Sequence, residues 1–88
     1  MNLDEVRQAI DRIDAEILNL IAERMELARK AGEVKKNLGK DIFDSKREEE
    51  VIESRVKTAE NLNLNSRFTA QLFNFIIKYS REVQGEKS

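Results

Sequence analysis

Apolar side chains recur along the first part of the chain with the spacing of an amphipathic helix. They return about every 3.5 residues, in two interleaved heptad series. One series is Leu3, Ile10, Ile17, Ala31 and Leu38, and the other is Val6, Ile13, Leu20, Leu27 and Val34. Proline is absent, Asn2 or Asp4 can cap the start, and Gly39 suits a left-handed end. The pattern predicts one long helix over residues 3–38, and we call its two heptad series the seam.

Arg24 interrupts the seam at a heptad position where an aliphatic side chain is expected. A buried cation needs an anionic partner. Ala28, Ala31 and Lys35 fall on the same face of the helix, so two cations flank two small side chains. One interpretation is a structural ion pair, or a polar residue that sets the register of a coiled coil. The other is an anion site with Ala28 and Ala31 as its floor, and this stretch alone does not choose between them.

Two shorter amphipathic segments follow. The first predicts a helix over residues 45–61, which either Asp44 or Ser45 can cap. The second predicts a helix over residues 65–84 with a broad apolar surface, expected to be the most buried helix face of the molecule. The pattern therefore indicates an all-α protein with three helices per chain, in a single domain covering residues 1–88.

The length of the first predicted helix implies a second copy of the chain. At 1.5 Å per residue it is about 50 Å long, whereas each later helix is about half that length. A chain of 88 residues cannot cover it, and is near the size at which a lone core is marginal. We expect two long helices to cross antiparallel in a symmetric homodimer. The tail from Gly85 to Ser88 is expected to fray.

The composition excludes several classes of function. With 16 Lys and Arg against 17 Asp and Glu, the chain has no net field to attract nucleic acid or an anionic membrane. It has no Cys and no His, which removes the thiol nucleophile, the imidazole base and the usual transition-metal ligands. We expect no cofactor and no metal. The N-terminus MNLDEVRQ lacks a hydrophobic targeting core and no apolar run approaches membrane-spanning length, so a cytoplasmic location is expected.

Polar residues also interrupt the apolar stripes of the shorter helices. In the last predicted helix the apolar stripe continues as Ser80 and Gln84, which by themselves also fit a frayed end. Arg47 and Glu48 precede the apolar positions of the middle helix by one turn, where a cap and a surface ion pair would explain them. Arg7 flanks the seam and means little alone.

Together these interruptions describe a pocket. The positive charges are Arg7, Arg24, Lys35 and Arg47, the acceptor is Glu48, and the neutral donors are Ser80 and Gln84. Such a set suits a compact anion with two carboxylates and a hydroxyl group. Because it contains no nucleophile, metal or usual base, the chemistry it can support is electrostatic and conformational.

Three segments of the chain resemble the all-helical class of chorismate mutases, small intertwined dimers that convert chorismate to prephenate. They are RQAIDRIDAEILNLIAERMELARKAGEVKK, DSKREEEVIESR and LFNFIIKYSREVQ, so the likeness covers nearly the whole chain. The resemblance implies an isomerase of aromatic amino acid biosynthesis that acts as an intertwined homodimer without a cofactor. We expect a stand-alone version, without the additional domains that some relatives carry.

Eight positions match the substrate site of that family with its spacing: Arg7, Arg24, Lys35, Asp44, Arg47, Glu48, Ser80 and Gln84. The resemblance implies that Arg7 reaches into the site of the partner chain, where it and Arg24 clamp the two carboxylates of chorismate. Lys35 and Gln84 are implied to donate to the ether oxygen as it gains negative charge, and Glu48 to accept from the ring hydroxyl. Arg24, Lys35, Glu48 and Gln84 are the expected catalytic residues.

Two alternatives stay open. An isochorismate pyruvate lyase resembles this family in fold and cationic clamp, but those lyases generally have less polar counterparts of Glu48 and Ser80. A non-enzymatic helical dimerisation module would use Arg24 and Glu48 merely as an ion pair. Product identification separates the two enzymes, and saturable binding of a bicyclic dicarboxylate separates both from the module.

Overall fold

The computed structural model describes residues 1–86 and contains three α-helices and no β-strand within that range. The helices are α1 (Leu3–Leu38), α2 (Ser45–Asn61) and α3 (Ser66–Gln84). The prediction of an all-α chain with three helices and a long N-terminal helix is confirmed. The fraying expected from Gly85 onward falls partly on residues 87 and 88, which lie outside the described residues.

Each helix begins at a short polar side chain that accepts a hydrogen bond from the backbone N–H three residues later. These pairs are Asn2 with Glu5 (2.8 Å), Asp44 with Arg47 (3.1 Å) and Asn65 with Phe68 (2.8 Å). For α2, where the sequence left two caps open, the structure selects Asp44. At the other end of α1, Gly39 adopts a left-handed conformation with φ of 68°, which glycine tolerates well because it has no Cβ atom.

The core lies where α1 and α3 pack together. Met25 and Ala28 of α1 are buried against Val83 of α3, and Ile21 and Ile76 cover the edge of this cluster. Both α1 and α2 pack on α3, but within residues 1–86 they do not pack on each other. This arrangement leaves a gap between α1 and α2, and the predicted site residues line it.

Gly32 allows the C-terminal end of α3 to approach α1 closely. A Cβ atom at this position would lie 2.9 Å from the Cα atom of Gln84 and 3.0 Å from its carbonyl carbon. Glycine inside a helix costs about 1 kcal/mol relative to alanine. The close approach explains why glycine is nevertheless present, and it fixes the position of Gln84 relative to α1.

A large apolar surface stays exposed in the single chain. Along the seam the exposed side chains are Leu3, Val6, Ile10, Ile13, Ile17, Leu20, Leu27, Val34 and Leu38. A second exposed stripe on α3 is formed by Phe68, Leu72, Phe75 and Tyr79. The face of α3 that was expected to be most buried is therefore only partly covered by its own chain, which is too short to enclose it. None of the helices in residues 1–86 combines the length and apolar character needed to span a bilayer.

Candidate active site

Seven of the eight predicted site residues line one cleft of about 440 Å³ between the three helices. They are Arg24, Lys35, Asp44, Arg47, Glu48, Ser80 and Gln84. The walls between these polar residues are apolar and include the side chains of Leu27, Ala31, Val51 and Ile77. A cleft of this size with a few polar groups on apolar walls is suited to a small organic ligand.

Arg7 does not lie in this cleft. It is exposed in the N-terminal half of α1, 17 residues before Arg24 on the same continuous helix, which separates the two by about 25 Å. Arg7 and Arg24 of one chain therefore cannot hold the same small ligand. The single chain brings together seven of the predicted residues and leaves the eighth distant.

The two small residues of α1 differ in what surrounds them. Ala31 is half-buried and lines the cleft. Ala28 also lines the cleft, but it is buried in the core cluster with Met25 and Val83. Packing in the core therefore explains the small side chain of Ala28. It does not explain that of Ala31, which only lines the cleft.

Lys35 and Gln84 meet at the end of the cleft where α1 and α3 converge. The Lys35 Nζ donates to Gln84 Oε1 at 2.7 Å and to the backbone carbonyl of Ile42 at 3.0 Å. Because an ammonium group has donors only, this contact sets the orientation of the Gln84 amide. The Gln84 Nε2 is turned away from Lys35 and lies 3.5 Å from Ser80 Oγ, too far for more than a weak hydrogen bond. The amide N–H groups keep donor capacity for a ligand.

Arg24 is half-buried and has no carboxylate partner in the described part of the chain. The ion pairs among residues 1–86 do not include it, and Glu48, its partner in the structural interpretation, pairs with Arg81 instead. The pKa of Arg24 is lowered, first by burial and then by the positive charges of Arg55 and Arg47. Arg24 thus faces other cations. This arrangement is expected of an anion-binding site, whereas an internal ion pair would place a carboxylate beside Arg24.

Glu48 is oriented by Arg81, which the sequence analysis did not identify. The Arg81 Nε lies 3.3 Å from Glu48 Oε2, while its guanidinium carbon stands 5.1 Å from the centre of the Phe43 ring. The N–H of this Nε is not aligned for a hydrogen bond, so the attraction is mainly electrostatic. A partly exposed pair contributes little to stability. Its effect is to hold the Glu48 carboxylate in place while leaving it able to accept from a ligand.

Arg55 also lines the cleft and was not predicted. It comes seven residues after Glu48 and four after Val51, so the three share one face of α2. This helical spacing is the signal that could have identified Arg55. The family resemblance assigns no role to the position.

The carboxylates of the cleft are already engaged. Asp44 caps α2 and Glu48 faces Arg81. Within the described residues, no three His, Cys, Asp or Glu side chains cluster as a metal site would need. The groups of the cleft that can bind an anion are therefore the cations and the Gln84 amide, and Glu48 can accept from a neutral donor.

A family model described as chorismate mutase type II matches residues 6–85, nearly the whole chain. The chain belongs to the chorismate mutase type II family. A curated member of similar length, the chorismate mutase of Methanocaldococcus jannaschii, is 35% identical over 82 residues, which cover 93% of this chain and 83% of the relative. The T-protein of Enterobacter agglomerans is 32% identical over 85 residues, and these cover 97% of this chain but 23% of that protein.

A solved structure also resembles this chorismate mutase type II chain. A conserved hypothetical protein from Pyrococcus furiosus superposes with a TM-score of 0.72 at 34% identity, covering 93% of both chains. The likeness therefore holds for the arrangement of the helices as well as for the sequence. The chain spans most of its shorter relatives and about a quarter of the longer T-protein.

Proposed function

We propose that this chain catalyses the rearrangement of chorismate to prephenate in the cleft between its three helices, as one chorismate mutase domain. The observation that carries the proposal is the unbalanced positive charge around Arg24 together with the Lys35 and Gln84 donors at the far end of the cleft. Chorismate offers a matching pattern of two carboxylates, an ether oxygen and a ring hydroxyl. The product would enter aromatic amino acid biosynthesis.

The first contribution of the site is positioning. Arg24 and the partner subunit's Arg7 bind the two carboxylates and press the flexible enolpyruvyl arm over the ring. The reaction is intramolecular, since one carbon–oxygen bond breaks as a carbon–carbon bond forms. Ordering the two reacting ends therefore removes several kcal/mol of the barrier without a covalent intermediate.

The second contribution is charge stabilisation. The ether oxygen gains negative charge as its bond to the ring breaks, and Lys35 and Gln84 donate to it there. The 2.7 Å contact between the two side chains supports this assignment, because it holds both donors in place before the substrate arrives. Glu48 accepts from the ring hydroxyl, and the remaining contacts come from Asp44, Arg47 and Ser80.

The proposal includes an intertwined homodimer. The exposed seam of α1 and the exposed stripe of α3 are the surfaces that a second, antiparallel copy would cover. For Arg7 to reach a site between Arg24 and Lys35 of the partner, the two long helices must cross near residue 18. Sedimentation should give the mass of a dimer, and a stable monomer at working concentration would contradict this part.

The decisive test is to incubate the purified protein with chorismate, and separately with isochorismate, and to identify the products. Formation of prephenate supports the proposal. Salicylate and pyruvate from isochorismate, with no prephenate, would identify the lyase instead. The position of both Glu48 and Ser80 in the cleft supports the mutase. Absence of turnover and of saturable binding of a bicyclic dicarboxylate transition-state mimic would leave only the dimerisation module.

A further inference from the structure

Arg55 brings a fourth positive charge of this chain into the cleft, besides Arg24, Lys35 and Arg47. Its guanidinium carbon lies 5.8 Å from the centre of the Phe73 ring, and its Nη1 donates to the neighbouring Ser54 Oγ at 2.7 Å. Both partners are uncharged. They hold the side chain beside the cleft without neutralising it.

Within the described part of the chain, no ion pair balances the charge of Arg55. The ion pairs among residues 1–86 include neither Arg55 nor Arg24 nor Arg47, and both carboxylates that line the cleft are engaged elsewhere. Arg55 therefore faces Arg24 as a like charge, and this repulsion contributes to the lowered pKa of Arg24. Like charges held together in a half-buried cleft cost free energy until an anion binds between them.

On these grounds, and resting on the proposed function, we infer that Arg55 binds a carboxylate of the substrate together with Arg24. Two guanidinium groups can each offer paired N–H donors to one carboxylate. That carboxylate carries the same charge in the ground state and in the transition state, so the contact strengthens substrate binding rather than the chemical step. Arg55 is thus a substrate-binding residue that favours a dianion over a monoanion.

Three variants of the full chain test this role. Arg55→Gln removes the charge, Arg55→Lys keeps the charge but loses the paired donors, and Lys57→Gln removes an exposed charge outside the cleft on the same helix. We expect Arg55→Gln to raise KM for chorismate about tenfold and to weaken binding of the bicyclic dicarboxylate equally, with kcat within about twofold. Arg55→Lys should raise KM about threefold, and Lys57→Gln should change neither constant.

The outcomes separate this inference from the proposed function. If the wild-type protein converts chorismate and Arg55→Gln matches Lys57→Gln in KM and in affinity for the dicarboxylate, the inference is overturned. A wild-type protein that neither converts chorismate nor binds the dicarboxylate overturns the proposed function instead. Circular dichroism checks that each variant is folded. Should Arg55→Gln unfold, the folded Arg55→Lys protein decides, since an unchanged KM overturns the inference and a raised KM supports it.

Discussion

The N-terminal and C-terminal halves of α1 carry the same seam but differ on the neighbouring face. In the C-terminal half that face consists of Ile21, Met25, Ala28 and Gly32, which pack against α3. The residues 14 positions earlier, in the same order, are Arg7, Asp11, Asp14 and Leu18. Two heptads toward the N-terminus, the face that α3 covers has thus become mostly charged, whereas the seam remains apolar.

This difference separates two kinds of burial. In the C-terminal half the chain provides its own packing partner for the neighbouring face in α3. The seam itself is left uncovered in both halves by the described chain: Ile10 and Ile13 are 51% and 55% exposed, and Leu27 and Val34 are 59% and 56% exposed. A sustained heptad seam beside a charged face is typical of a helix that packs against another chain. In the proposed dimer, the half of α1 that supplies Arg7 is also the half that depends most on the partner.

The largest expected effect comes from two substitutions, one in each half of α1, that are made in separate proteins and then combined in mixed dimers. Arg7→Ala and Lys35→Ala should each abolish most activity, because each removes a cation from every site. After subunit exchange between the two inactive dimers, half of the dimers are mixed and each has one intact site. Activity should therefore return to about a quarter of the wild-type value. No recovery after exchange verified by mass spectrometry would rule out the shared site.

A second prediction tests the end of the cleft where the C-terminal half of α1 meets α3. Gln84→Glu puts a carboxylate where an amide donates, so activity at neutral pH should fall by about a hundredfold or more. A carboxyl group donates only when protonated, and the midpoint of that protonation depends on the attraction of Lys35, which contacts this position at 2.7 Å, against the effect of burial. Activity should stay low at neutral pH and recover toward acid, following this one protonation.

The control for this experiment is the wild-type protein, whose rate should be nearly constant around pH 7 because the Gln84 amide does not titrate. The pH dependence of kcat for both proteins is the measurement. A flat profile for the Gln84→Glu protein would show that Gln84 does not contact the ether oxygen.

Third, Ala31 and Ala28 should respond differently to added volume. Ala31→Leu fills the cleft, so we expect about a tenfold weaker binding of the dicarboxylate with the fold retained, because the core is not overpacked. Ala28→Leu inserts the same volume into the core cluster, where overpacking costs about 1 to 3 kcal/mol and should lower the melting temperature. Calorimetry of binding and of unfolding measures both effects. If Ala31→Leu unfolds the protein, that face is packed core and the site is misplaced.

The smallest effect concerns Gly32, the counterpart of Leu18 in the other half. Alanine normally stabilises a helix interior by about 1 kcal/mol over glycine. Here its Cβ would lie 2.9 Å from Gln84 Cα, so Gly32→Ala should instead lower the melting temperature and reduce kcat severalfold by displacing Gln84. Gly85→Ala is the matched control, since its nearest contact would be 3.6 Å. A Gly32→Ala protein as stable and active as this control would contradict the close approach.

The sequence predicted those parts of the site that depend on a single helix. Arg24 and Lys35 share a face of α1 however the other helices are packed. The helical periodicity of the sequence was therefore enough to group them. The contact of Lys35 with Gln84, and that of Arg81 with Glu48, depend on how α3 packs against its neighbours, which spacing within one helix does not encode. The cap of α2 was ambiguous because Asp44 and Ser45 are both good acceptors.

The exposure of α3 was missed for a related reason. An apolar stripe in the sequence shows that a face will be buried, but it does not show whether the same chain or a partner will bury it. Phe75 and Tyr79 lie on the apolar surface that was expected to be the most buried, and the single chain leaves both exposed.

The unbroken course of α1 also limits where this chain can change in length. One residue inserted between Arg7 and Arg24 would rotate Arg7 by about 100° and move it by 1.5 Å relative to the remainder of the helix. It would break the heptad register of the seam at the same time. An insertion in the turn between α2 and α3, where Asn63 already has a positive φ of 57°, changes neither the position of Arg7 nor the heptad register of the seam. Functional relatives are therefore expected to gain or lose residues in that turn and not within the first half of α1.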